Sequence, residues 1–246
     1  MTPIIKVDRV CSPEEAAELQ NLGADIISVS LGEQSEVENN RQVTENMART
    51  IRKSLVNAKF CGEITNQAGL DHTISLIHHC GFDLIQASAI NIPELTFRQT
   101  ASQSGIRFIY SGIEASYDDD PAWILSSFDE SEKLEAAYFQ VDLLSDVEGS
   151  WNFFKNECPK YSEELQIDDI NQISAQYPLI ISLDFSVENI VEIIEHFENV
   201  QGFWFTLGAC QKSNDPHLIE YSELVNILKI LNKQTSQIKW ENALLN

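Results

Sequence analysis

Apolar residues in this chain fall into short, nearly unbroken runs that alternate with segments of helical spacing. The first repeat is complete. Residues 4–10 form a β-rich run, and Ser12-Pro13-Glu14-Glu15 then supplies an N-cap, a proline at the first helical position and a glutamate where a capping box places one. Ala16, Ala17, Leu19 and Leu22 give the helix an apolar face. Gly23 ends it before the next apolar run, residues 26–31. The unit reads as βαβ.

The same period continues. Strands are predicted at residues 59–64, 84–87, 107–111, 138–144, 179–183 and 202–207. Helices are predicted around 47–55, 72–80, 93–104, 187–197 and 218–231, with the tail 232–246 unassigned. The connections 112–137 and 145–177 are long, and each is expected to carry a helix. Eight strands, several apolar almost throughout as parallel strands buried on both faces tend to be, predict a closed (β/α)8 TIM barrel. It is expected to form a single domain over residues 1–246, with inserts around 112–137 and 145–177. An open doubly wound sheet is the competing architecture, but its glycine fingerprint after the first strand is absent, as is a P-loop.

Composition narrows the function classes. The 246 residues are 43% hydrophobic, enough for a substantial core, and the formal charge of −22 argues against nucleic-acid or anionic-membrane partners. It leaves open either simple solubility or a cationic ligand or partner. No stretch approaches the ~20 apolar residues of a membrane helix, and the N-terminus lacks the apolar segment of a secretory signal, so a soluble cytoplasmic protein is expected. Cys11, Cys61, Cys80, Cys158 and Cys210 are scattered and read as reduced thiols rather than disulfide or zinc ligands.

The order of motifs resembles phosphoribosylanthranilate isomerase, a barrel enzyme of tryptophan synthesis, from residue 4 to about 231. Lys6-Val7-Asp8-Arg9 is similar to that family's Lys-x-Cys-Gly, Pro13-Glu14-Glu15-Ala16 to its Pro-Glu-x-Ala, and Gly23-Ala24-Asp25 to its Gly-Ala-Asp. Asn39-Asn40-Arg41 followed by Val43-Thr44-Glu45 resembles Ser-Pro-Arg and Val-Thr-Glu. Asp83-Leu84-Ile85-Gln86-Ala87-Ser88 resembles the fourth-strand motif Asp-x-Val-Gln-Leu-His-Gly, and Gln140-Val141-Asp142 the sixth-strand Leu-Leu-Asp. The family's late Gly-Gly-Leu-x-x-x-Asn is matched in part by Leu183-Asp184-Phe185 and Asn189.

In that family a first-strand cysteine is the general base and a sixth-strand aspartate the general acid of an Amadori rearrangement. The resemblance implies Asp142 as acid and puts Asp8, a carboxylate instead of a thiol, in the base's place. Two carboxylates facing one substrate can be driven to opposite protonation states. Glycine-rich turns after the last three strands hold the family's phosphate. Here only Gly149 and Gly208 remain, and Asp184 would put a negative charge beside the anion. At ~4 Å that repels by about 4 kcal/mol at an effective dielectric of 20.

Asp8, Asp142 and Asp184 fall at predicted C-terminal strand ends, where such barrels place chemistry. They are read either as capping aspartates or as site residues. Their oxygens suit Mg²⁺ or Mn²⁺, but without paired spacing no metal and no cofactor is expected. Arg41 and Arg9 are candidate grips for a substrate carboxylate, and Arg41 resembles the family arginine that holds the anthranilate side. Gln86 is either a satisfied core amide or a substrate contact, and Gly208 a remnant of the anion turn. His72, His78, His79, His196 and His217 are expected to be surface or packing residues, and Cys11 an inert thiol. Trp151, beside the sixth-strand loop, is a packing aromatic or a platform for a planar substrate. The expected function is an isomerase-type acid/base enzyme on a small polar molecule, with the phosphate site lost. The alternatives are a non-catalytic scaffold of the same descent and a genuine phosphoribosylanthranilate isomerase.

Overall fold

A computed structural model describes residues 2–32, 41–64, 70–126, 128, 136–208 and 215–244. Its strands are β1 (Ile4–Asp8), β2 (Ile26–Leu31), β3 (Gln42–Val43), β4 (Lys59–Ile64), β5 (Leu84–Ser88), β6 (Arg107–Ala115), β7 (Ala136–Leu143), β8 (Leu179–Ser182), β9 (Gly202–Leu207) and β10 (Leu218–Ile219). Eight of them run parallel in the order β1-β2-β4-β5-β6-β7-β8-β9, and β9 returns to β1 to close a barrel. The short β3 and β10 add to β2 and β9 at the rim. The expected (β/α)8 barrel is the observed fold, and the open sheet is ruled out by the β9–β1 ladder.

The helices are α1 (Pro13–Asn21), α2 (Glu45–Ser54), α3 (Leu70–Cys80), α4 (Leu95–Gln103), α5 (Pro121–Ser126), α6 (Ser150–Asn156), α7 (Ile167–Ser174), α8 (Ile190–His196) and α9 (Tyr221–Leu244). Ser12 caps α1 by accepting the Glu15 N–H at 3.1 Å. The reciprocal half of the capping box differs from expectation, because the Glu15 carboxylate reaches one residue further back, to the Cys11 N–H at 3.0 Å. The last helix also differs. Leu218–Ile219 pairs with β9 as a strand, and α9 starts at Tyr221 and runs on through the stretch the sequence left unassigned. The insert after β7 carries two helices, α6 and α7, rather than one. It packs on the insert after β6 through Tyr117 and Phe153, whose rings meet edge-on at 5.3 Å.

Alternation along each strand splits the apolar residues into two layers. Ile27, Phe60, Ile85, Phe108, Phe139, Ile181 and Phe203 face the helices. Their neighbours Ile26, Cys61, Leu84, Ile109 and Ile180, with Ile4 and Trp204, fill one end of the barrel interior. Burial on both faces is why the strands read as continuous apolar runs. No helix among the described residues is long and apolar enough to cross a membrane.

The closing seam needs glycine. A Cβ on Gly202 would lie 2.1 Å from the carbonyl oxygen of Ile4 across the ladder. Gly202→Ala is therefore expected to lower unfolding free energy by about 2–4 kcal/mol, read from urea denaturation followed by circular dichroism.

Candidate functional site

Further toward the C-terminal strand ends, the barrel interior turns polar. Ile4, Lys6 and Asp8 share one face of β1, so Lys6 and Asp8 point inward as Ile4 does. The Lys6 ammonium is fully buried and has three acceptors: the Asp8 carboxylate, Gln86 Oε1 at 2.8 Å and Gln140 Oε1 at 2.9 Å. Gln140 Nε2 donates back to Asp8 Oδ2 at 3.2 Å. Three donors meet three acceptors, which is what a buried ammonium requires. The Oε1 of Gln86 is thus taken by Lys6. Asp8 is the carboxylate of an ion pair, a partner that the sequence reading did not give it.

Asp142 and Asp184 belong to a second network. Asp142 Oδ1 lies 2.6 Å from His217 Nδ1, and His217 Nε2 lies 3.1 Å from Ser150 Oγ. Ser150 Oγ donates to Asp184 Oδ1 at 2.7 Å and accepts the Asp184 N–H at 3.1 Å. Asp184 Oδ1 also accepts the Trp151 N–H at 2.6 Å, at the start of α6. His217 corrects the sequence reading. It is buried, as a packing residue is, but it stands in the turn before β10 at the barrel rim, bonded to the aspartate singled out as acid. The signal missed was the pair Leu218-Ile219, whose pairing with the end of β9 holds His217 over β7.

The partners assign the protons in this network. A hydroxyl has one proton, and a carboxylate only accepts, so Ser150 directs its proton to Asp184. His217 stands between Ser150 and Asp142, with Nε2 toward the hydroxyl and Nδ1 toward the carboxylate. Ser150 is fully buried and its proton faces away from the imidazole. The serine, histidine and aspartate thus share the membership of a nucleophilic triad without its polarity.

Trp151 is buried as a packing aromatic, its ring edge-on to His196 and its Nε1 donating to Glu192. Arg41 is committed near the same end. Its Nε donates to the Arg9 carbonyl at 2.8 Å, and one terminal nitrogen pairs with Glu15 Oε2 at 2.5 Å. Arg9 has φ 61 and Arg41 φ 56, left-handed conformations that favour glycine. Arg9, which stands where the motif it resembles has glycine, thus adopts a conformation that favours glycine. Burial pushes the Cys11 thiol up, with Arg41 opposing and Glu15 adding, and burial pushes Cys61 in the barrel interior up to about 12; neither is poised as a thiolate. Asn39, Asn40 and Cys210 lie outside the described residues.

The Gly208 N–H is bonded to the Ile219 carbonyl at 3.0 Å. Among the described residues, no group of three or more His, Cys, Asp or Glu side chains could hold a metal ion. A groove lined by Phe154, Gln166, Asp169, Asn171, His196 and Asn199 lies outside the barrel, along α6, α7 and α8, away from both networks.

Fold and site together define a (β/α)8 barrel with a polar, acid-rich interior at the C-terminal strand ends. No family model and no curated protein matches the sequence. Among solved structures, the chain is similar to N-(5'-phosphoribosyl)anthranilate isomerase from Pyrococcus furiosus, with TM-score 0.64 and 14% identity over 94% of this chain and 99% of that one. The isomerase from Thermococcus kodakaraensis matches with TM-score 0.62 and 14% identity over 93% and 98%. Thiamine phosphate pyrophosphorylase from Pyrococcus furiosus matches with TM-score 0.56 and 13% identity over 94% and 96%. At such identities the shared property is the barrel itself, and it is common to enzymes of different activities.

The buried ion pair gives a direct test. Lys6→Met leaves Asp8 charged and unpaired in the interior and is expected to destabilise the fold by about 3–5 kcal/mol in urea denaturation. Adding Asp8→Asn to the same chain is expected to recover most of that loss.

Proposed function

We propose that this protein is an isomerase-type acid/base enzyme working at the C-terminal mouth of the barrel on a small polar molecule without phosphate. The observation that carries the reading is the Asp142–His217 couple. One oxygen of Asp142 is held by the imidazole, and the other has no partner among the described residues. Asp142 exchanges a proton with substrate at Oδ2, and His217 orients the carboxylate. Asp8 takes the base's role, entering as a carboxylate already ionised against Lys6. A proton accepted there weakens the ion pair, so proton return is favoured and the cycle closes.

The absence of phosphate from the substrate is supported by how two main-chain donors are used. The Trp151 N–H is taken by Asp184, and the Gly208 N–H by Ile219. An anion at those turns would meet a carboxylate instead of free amides. A second reading, a barrel without catalysis, is favoured by the Lys6 network. It fills the interior with side chains that satisfy one another.

Hydrogen exchange separates the two readings. The protein is incubated in heavy water with a pool of small polar metabolites, and deuterium uptake at carbon is followed by mass spectrometry. At least one compound is expected to exchange with the native chain, while Asp142→Asn lowers the rate on the order of a hundredfold or more and keeps the fold. Exchange with neither chain would establish the non-catalytic barrel. Rescue of a tryptophan auxotroph lacking phosphoribosylanthranilate isomerase would instead establish the sugar-phosphate activity.

A further inference from the structure

We propose that the barrel mouth binds a small organic cation, an amine whose ammonium group hydrogen-bonds Asp142 Oδ2 and Ser182 Oγ. The inference rests on the reading above for the location of the site and adds the class of molecule that enters it.

Ser182 is the first observation. It is 1% exposed, and its hydroxyl has no hydrogen-bond partner among the described residues. Ile180 belongs to the interior cluster, so Ser182, two residues further along β8, points the same way. It stands in register with Asp142 on β7, whose own inward face is marked by Gln140 on Lys6. A buried hydroxyl without a partner costs free energy unless something occupies the space before it. Asp142, its register partner, has one oxygen without a partner among the described residues, so an acceptor stands beside a hydroxyl that accepts equally well. The missing group is a donor with more than one proton.

Charge is the second observation and is independent of the first. Glu114 on β6 is in register with Asp142, and Glu63 on β4 with Gln86. These two add to Asp8 and Asp142 at the same end of the interior. Against these four carboxylates stands the Lys6 ammonium, already paired with Asp8. The mouth is net negative and attracts cations. A metal ion does not fit, because no three carboxylate or imidazole groups among the described residues stand close enough to share one. An ammonium group needs only two or three acceptors in a loose arrangement, and it suits the pair Asp142 and Ser182.

The test uses the full chain and titrates diaminobutane and glucosamine, each beside its N-acetyl counterpart, with ribose phosphate as the anionic comparator, by ligand-observed NMR and calorimetry. At least one amine is expected to bind, with its N-acetyl counterpart weaker by on the order of tenfold or more. Ser182→Ala removes a hydroxyl with no partner among the described residues, so the fold persists, and amine affinity falls by about threefold to tenfold. Glu114→Gln, at the exposed rim, weakens binding by about twofold to fivefold at low salt, a difference that shrinks as salt screens it. Amines that bind no better than their N-acetyl counterparts, that fail to bind at millimolar concentration, or that bind undiminished to Ser182→Ala and Asp142→Asn would each overturn the proposal. Amine binding without any hydrogen exchange removes the acid/base reading and leaves the cation site standing. Exchange on a neutral molecule with no amine binding does the reverse.

Discussion

A lysine ammonium with no exposure to solvent is the constraint around which the upper half of this barrel is arranged. Leaving such a charge unpaired would cost several kcal/mol, so the strands that surround Lys6 must bring it acceptors. They do so from three directions: Asp8 on its own strand, Gln86 on β5 and Gln140 on β7. Each acceptor is inward-facing only if its strand holds its register. The network therefore fixes register across the barrel as firmly as the apolar layer beneath it.

The polar layer also separates the two aspartates. Asp8 is paired with Lys6, while Asp142, two residues beyond Gln140, has one oxygen without a partner among the described residues. Its 22% side-chain exposure leaves it reachable from the mouth, and His217 holds it from the rim. The two aspartates are equivalent in the sequence. They differ in the fold because one has an ammonium beside it and the other an imidazole.

The fold was legible because each strand is buried on both sides and each helix on one, a pattern that local composition carries. All eight barrel strands lie where the apolar runs put them, and the ends that moved are those where tertiary pairing competes with propensity. Leu218 and Ile219 have the spacing of a helix start, yet the free edge of β9 recruits them as a strand. The site was legible only in outline. Asp142 was visible as a carboxylate at a strand end, but its partner lies 75 residues away and no local pattern joins them. Lys6 was visible only as part of a motif, because a buried lysine and a surface lysine look alike until the acceptors around them are in place.

Asp184 shows how a chain can satisfy the donors of its own loop. A loop that starts a helix offers main-chain donors, and a bound anion is one way to satisfy them. In this chain the protein supplies its own anion, since the Asp184 carboxylate takes both the Trp151 N–H and the Ser150 hydroxyl. The hydroxyl thus engaged can accept from His217, and His217 in turn faces Asp142. A negative charge built into the rim therefore does two things at once: it takes up two donors of its own loop, and through Ser150 and His217 it reaches the carboxylate of Asp142. An external anion in that place would make the orientation of Asp142 depend on ligand binding. An internal one makes it permanent.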